Sequence, residues 1–368
     1  MNKSKNIYFL RITLIVLCIV LFSFNGYAQK DLYAGIEIGS KGIKISVIDV
    51  KNIKKGKYEI QAYWSENIGI AKGIKIDGNL AEEDMQNAAF TVLSNLNKLK
   101  DTYKVPEENI YIVGSSGVAM ANNTLALVEK IKNLTQKTIE FIDAETEGKM
   151  LLKGCIPPSE YIDSIILDIG GGNTKGGYVN DLKGFEFEFF PLELDFGTIT
   201  LTEEINKTIV NKKDVDDIEV FKTKSFEYLP VLRKKAYAML ESKPIALRRS
   251  NIYLSGGAIW AFNNLYYNHE NKNDHFIPLK FKDIIEYDAI LKNNFIKYER
   301  LAKTDANISS VLKVYDHKHL ISANNLLLAC LESIPDIKNK KIYFAKQGQI
   351  AWLVSYVVDR SKKVKKIN

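Results

Sequence analysis

The chain is poor in the residues that build metal and disulfide sites. Its 368 residues include only 3 cysteines and 4 histidines, with no CxxC and no HExxH, which argues against a zinc centre. Cys18 lies in an N-terminal apolar stretch. Cys155 and Cys330 are flanked by apolar residues and read as buried thiols, although an oxidising compartment would also allow them to pair. No low-complexity tract or heptad repeat interrupts the chain, which excludes fibrous and coiled-coil classes. A strong excess of one charge is missing too. The net charge of +7 suits an anionic ligand but is too weak to indicate nucleic acid. Lys362, Lys363, Lys365 and Lys366 read as a solvated tail. What the chain does have is 46% hydrophobic and 11% aromatic residues, ample for one large or two medium domains.

The first residues stand apart. Lys3, Lys5 and Arg11 precede an apolar stretch from Ile12 to Phe24, and Gly26 and Ala28 supply the small residues of a signal-peptidase site. Residues 1–28 are therefore expected to be a signal peptide, with an exported mature chain starting at Gln29, periplasmic if the source has two membranes. The stretch is short for a membrane span, so no membrane insertion is expected after cleavage, and an uncleaved anchor is the alternative. Cys18 lacks the preceding small residue that lipidation wants. Removing the leader takes three positive and no negative charges with it.

In "SIILDIGGGNTKGGYV", Ser164–Val179, an apolar strand runs straight into Gly170–Gly172. Glycine permits positive φ there, or close approach of another group to the backbone. A tight hairpin explains the glycines alone, but it does not explain Asp168. A carboxylate is seldom placed in an apolar run without a cation, a metal or a donor to meet it. "LYAGIEIGSKGIKISVIDV", Leu32–Val50, repeats the design, with Glu37 between Ile36 and Ile38 and a turn at Gly39-Ser40-Lys41-Gly42.

The order of elements repeats as well. A strand over Tyr58–Ile70, a helix from Glu82 to Lys100, a strand over Asn109–Gly117, a helix over Thr124–Leu134, the short strand of "IEFIDA" and a helix at Glu145–Leu152 complete the first half. Strands Ile165–Ile169, Gly176–Asn180 and Phe185–Leu192, helical segments from Leu201 to Leu240, and a strand from Asn251 into a Ser255-Gly256-Gly257 turn form the second. The pattern predicts a duplicated α/β protein, with lobes over 29–157 and 158–368 and a cleft between them. Ile350, Leu353, Val354 and Val357 give a C-terminal helix, Ile350–Arg360, one apolar face to pack back on the first lobe. Two glycine turns facing each other across a cleft suit a phosphate ligand. Ser115 and Ser116 end a strand and either touch that ligand or cap the next helix. Ser255, Gly256 and Gly257 either line the cleft or simply turn strand into helix. Glu147, taken alone, reads as a solvated acid at a helix N-terminus.

"IEIGSKGIK", "ILDIGGGNTK" and "IYLSGGA", in this order, resemble the first phosphate, second phosphate and adenosine-type motifs of the actin and sugar-kinase superfamily. "VGSSGVAMANNTLALVEKI", "IDAETEGKMLLKG" and "LDFGTITLTE" narrow the resemblance to the exopolyphosphatase and guanosine pentaphosphate phosphohydrolase (Ppx/GppA) family. It implies two related actin-like (ribonuclease H-like) lobes and hydrolytic release of terminal phosphate from polyphosphate or a phosphorylated nucleotide. It further implies Glu147 as the base that aims water, and Mg²⁺ or another divalent cation held through water by Glu37 and Asp168. The phosphate-binding set would be Ser40, Lys41, Ser115, Ser116, Gly170, Gly171, Gly172, Asn173, Thr174, Ser255, Gly256 and Gly257. A homodimer is the one protein partner expected.

Several positions depart from the family pattern. Glu37 replaces Asp, and Lys41-Gly42 replaces Asn-Ser. "EEEARL" is reduced to Glu145-Thr146-Glu147, and "VYDHKHLISANNLLLACLESI" and "IYFAKQGQIAWLV" lack the usual arginines. These departures keep a second reading open, a weakened relative that binds a polyanion without turnover. A sugar-kinase-type phosphotransferase or an actin-like assembling protein is the third, and export argues against it.

Overall fold

The computed structural model describes residues 31–52, 57–183, 186–267 and 276–364. The expected leader at 1–28 and the tail lysines at 365 and 366 lie outside them. Two sheets are formed. The first contains β1 (Leu32–Ile38), β2 (Gly42–Asn52), β3 (Lys57–Asn67), β4 (Ile110–Gly114) and β5 (Ile139–Phe141) in the order β3-β2-β1-β4-β5. The second contains β6 (Ser164–Ile169), β7 (Thr174–Lys183), β8 (Glu186–Leu194), β9 (Asn251–Ser255), β10 (Phe276–Leu279) and β11 (Lys341–Ala345) in the order β10-β11-β9-β6-β7-β8.

The two orders are one design used twice. Each begins with a three-strand antiparallel meander, β1-β2-β3 or β6-β7-β8, and continues with strands parallel to the first. The second sheet adds β10, antiparallel on β11, at its far edge. The inner strands carry near-continuous apolar runs because both of their faces are covered. All six residues of β6 are buried, Asp168 included.

Helices α1 (Glu82–Asp101) and α2 (Thr124–Thr135) build the outer core of the first sheet through residues such as Val92, Leu96 and Leu127. Helices α3 (Ala144–Cys155), α4 (Thr198–Lys207), α5 (Ile218–Glu241), α6 (Gly257–Phe262), α7 (His317–Glu332) and α8 (Gly348–Val364) follow. The helical segments expected from Leu201 to Leu240 are α4 and α5, with α4 starting three residues earlier, at Thr198. The outer core of the second sheet takes Leu201, Phe221, Phe262 and Leu326 from α4 to α7.

Helices α3 and α8 lie between the sheets. Leu151 and Leu152 of α3 and Leu353, Val354 and Val357 of α8 share one core with Tyr33 and Ile48 of the first sheet and with Ile166, Val179 and Tyr253 of the second. Gly154 faces the α8 backbone at Ala351, and Gly35 in β1 faces Leu353 and Val357, so α8 seats closely on both α3 and the first sheet. Cys155 and Cys330 are buried free thiols in different cores. Among the described residues no helix is long and apolar enough to cross a membrane.

The strand expected over Asn109–Gly117 stops at Gly114. The Ser115 amide still bonds the Ile38 carbonyl, and then Ser116–Ala119 coils into a helical turn. That turn brings Gly117 against Ser40 and Gly172, joining the two lobes. Because α8 fills the space between the sheets, Leu353→Ala should cost about 2–5 kcal/mol of stability, measured by urea unfolding. A loss well under 1 kcal/mol would contradict this packing role.

Candidate active site

The cleft is built on two equivalent hairpins. In β1 and β2, Glu37 pairs in register with Lys44; in β6 and β7, Asp168 pairs in register with Lys175. In both, the lysine follows the acid by seven residues across a four-residue turn, so the two side chains emerge on the same face. Lys44 Nζ donates to Glu37 Oε1 at 3.0 Å and to Oε2 at 3.3 Å. Lys175 Nζ lies 3.4 Å from its cross-strand partner Asp168 Oδ2, and closer, at 2.6 Å, to Glu147 Oε1. That closer contact is an ion pair rather than an aligned hydrogen bond.

Glu147 reaches this position from the first turn of α3. Asp143 starts the helix by accepting a hydrogen bond from the Thr146 amide at 2.7 Å. Gly148 then lets α3 approach β7, because a Cβ there would stand 2.8 Å from the Gly176 carbonyl oxygen. Glu147 is 1% exposed, and its Oε2 accepts from the Ser116 amide at 2.9 Å. It is thus no solvated helix-end acid.

The turns supply backbone donors. The carbonyls of Gly170 and Gly171 accept from the Thr198 and Ile199 amides, and the Gly172 carbonyl accepts from the Thr200 hydroxyl. In a trans peptide the next N–H points away from the carbonyl. The amides of Gly171, Gly172 and Asn173 are thereby directed away from α4. Gly170–Gly172 do not use the positive φ that glycine permits. These glycines serve close approach instead: a Cβ on Gly172 would stand 2.7 Å from Ser40 Oγ and 3.3 Å from the Gly117 backbone. Gly256, on the cavity wall, does have positive φ, at 92°, and a Cβ there would meet the Ile169 carbonyl at 2.5 Å and Asp168 Oδ1 at 2.6 Å.

A cavity of about 190 Å³ lies between the turns. Glu37, Ser40, Lys41, Ser115, Glu147, Asp168, Gly170, Gly171, Asn173, Gly256 and Gly257 line it, together with Lys44, Lys175, Trp260 and Tyr315. The remaining expected phosphate residues stand behind this wall. Gly172 packs against the first lobe, and the Thr174 hydroxyl donates to the Phe196 carbonyl. Ser116 gives its amide to Glu147, and its hydroxyl accepts from Asn173 Nδ2 at 3.1 Å. Ser255 turns toward Gly348, on the side of Cys155. Sequence reasoning missed Lys44 and Lys175, although the seven-residue acid-to-lysine spacing was present twice.

Lys41 spans the cleft. Its Nζ donates to the Val314 carbonyl at 3.1 Å and sits 4.0 Å from the centre of the Tyr315 ring, both in the second lobe. Burial lowers its pKa to about 8. Burial pushes the Glu37 carboxyl up to about 7, with Lys44 pulling the other way.

These carboxylates do not fit a directly held Mg²⁺. Glu147 and Asp168 already face one ammonium, and Glu37 faces another. Among the described residues, no group of three or more His, Cys, Asp or Glu could hold a metal ion. A divalent cation placed about 4 Å from the Lys175 ammonium would be repelled by ~8 kcal/mol at an effective dielectric of about 20. Lys175 would have to leave first.

Residues 50–237, just over half of the chain, match the family model described as the Ppx/GppA phosphatase family. The chain belongs to the Ppx/GppA phosphatase family. Within the curated proteins it is 28% identical, over 148 residues, to the guanosine-5'-triphosphate,3'-diphosphate pyrophosphatase of Aliivibrio fischeri, a match covering 40% of this chain and 29% of that one. It is 24% identical over 225 residues to the bifunctional 3-dehydroquinate synthase/phosphatase of Fusobacterium nucleatum, covering 56% of this chain and 33% of that one. The chain thus spans about a third or less of the length of these curated relatives. Among solved structures, a Ppx/GppA family member from Aquifex aeolicus aligns with a TM-score of 0.62 at 21% identity, over 89% of this chain and 98% of that one. An exopolyphosphatase from Cytophaga hutchinsonii aligns at 0.66 and 16%, over 88% and 98%. The two lobes are therefore the actin-like pair of the Ppx/GppA fold.

In this family member the joint between the lobes depends on the bare Gly172 backbone. Gly172→Val should wedge Ser40 and Gly117 away, which small-angle X-ray scattering would read as a larger radius of gyration. An unchanged profile from a folded variant would contradict the close contact.

Proposed function

We propose that this chain is a phosphohydrolase that releases terminal phosphate from inorganic polyphosphate or a related phosphoanhydride such as guanosine pentaphosphate. The observation that carries this reading is the placement of Glu147, a buried carboxylate fixed by the Ser116 amide on the wall of the cavity between the two glycine turns. Phosphoryl transfer needs positioning and charge neutralisation more than covalent chemistry. The turn amides and Lys41 would hold phosphate oxygens, and Glu147, whose oxygens each keep a further acceptor site, would orient the attacking water. Family membership supports the reaction class, and the Aliivibrio fischeri relative's name supports a guanosine nucleotide among the substrates. We also propose that this activity is exported, a reading supported by the leader-like composition of residues 1–28.

A second reading is a binding protein with little turnover. Lys175 favours it, since Glu147 Oε1 faces an ammonium at 2.6 Å.

Phosphate release from polyphosphate separates the two. Under the hydrolase reading, Glu147→Gln lowers the rate by about a hundred- to ten-thousand-fold while sparing affinity, because Gln keeps the size but takes no proton. An unchanged rate would remove Glu147 from the chemistry, and a wild type that binds without releasing phosphate would leave the binding reading. Affinity should also depend on pH. Lys41 is charged below about 8 and neutral above, so affinity for tripolyphosphate should fall as pH rises through about 8. Lys41→Met should bind more weakly and lose that step; a step retained in the variant would assign it to another group.

A further inference from the structure

We propose that Lys175 is a built-in cation of this cleft, standing where a divalent ion would otherwise bridge Glu147 and Asp168, so that a phosphoanhydride chain end binds without metal held by these residues. The ligand class rests on the phosphohydrolase reading above; the lysine's role does not.

The duplicated hairpins carry the inference. Both lobes place an acid opposite a lysine at the same position, and each lysine faces the cavity. In the first lobe the pair is closed on itself, Lys44 holding both oxygens of Glu37. In the second lobe the equivalent lysine is shared. Lys175 remains 3.4 Å from Asp168 but lies nearer to Glu147, which comes from another lobe and another element. Its side chain is 7% exposed, between carboxylates that are 1% and 11% exposed. Such acids cannot keep their charge without a cation, and here the chain provides it.

Burial works against the charge on Lys175. Glu147 and Asp168 outweigh it and hold the ammonium above its ordinary range. An ammonium has three N–H donors. Lys175 meets the two carboxylates and also lines the cavity, so a phosphate oxygen there can accept from the same ammonium.

The test uses the full chain, with inorganic tripolyphosphate followed by calorimetry in EDTA and in magnesium chloride, and Mn²⁺ followed by electron paramagnetic resonance. The wild type should bind tripolyphosphate in EDTA and show no tight Mn²⁺ site. Lys175→Gln should bind tripolyphosphate about 10- to 100-fold more weakly in EDTA, the loss of one charge-assisted hydrogen bond. It should also gain a Mn²⁺ site at the freed carboxylates. Lys175→Arg keeps the charge and should behave as the wild type, which serves if the Gln variant does not fold. A tight Mn²⁺ site in the wild type, tripolyphosphate binding only with Mg²⁺, or no Mn²⁺ site in a folded Lys175→Gln would each overturn the proposal. If tripolyphosphate binds in neither buffer, the phosphoanhydride reading fails, and the Mn²⁺ titrations alone decide the lysine's role.

Discussion

A carboxylate that is 1% exposed needs a cation or donors to meet it, and in this protein Lys175 meets one oxygen of Glu147 and the Ser116 amide the other. Lys175 ties Glu147 of the first lobe to Asp168 of the second, and the surrounding architecture is arranged around that contact. Helix α3 enters between the sheets on Leu151 and Leu152, starts at Asp143, and delivers Glu147 where Gly148 allows β7 to come close. The cross-strand register of β6 and β7 delivers Asp168 and Lys175 from the other side. The bare contact of Gly172 with Gly117 and Ser40 sets how near the two walls stand.

The fold was legible where local chemistry and global topology agree. Runs such as Ile165–Ile169 say strand, the glycines after them say turn, and the repeated order of strands and helices says duplication; the two sheets follow that reading. Element ends were less legible. Asn109–Gly117 has the composition of one strand, but tertiary contact decides its end, since Gly117 is needed against Ser40 and Gly172.

The candidate site was legible in its acids and turns and obscure in its bases. Glu37, Asp168 and Glu147 drew notice because acids in apolar or motif contexts need an explanation. A lysine beside a glycine turn needs no such explanation in sequence, and only the cross-strand register sets Lys44 and Lys175 opposite those acids. Direction was invisible as well. Ser255 and Thr174 stand next to glycine-rich turns, at the end of β9 and the start of β7, yet their hydroxyls face the interior behind the cleft, which only the pleat of the strands decides. Departures from the family pattern carry physical content in the same way. Lys41 spends its charge on Val314 and Tyr315 across the cleft, joining the lobes while remaining on the cavity wall.

The central claim is that the space between the two glycine turns is a phosphoanhydride site beside Glu147 and Lys175. A crystal structure of the chain grown with inorganic tripolyphosphate tests it most directly. The account predicts a terminal phosphate on the amides of Gly171 and Asn173, with one oxygen at Lys175 Nζ and Glu147 within reach of a water in line with the terminal phosphorus. Tripolyphosphate bound outside this cavity, with the cavity left open, would contradict it.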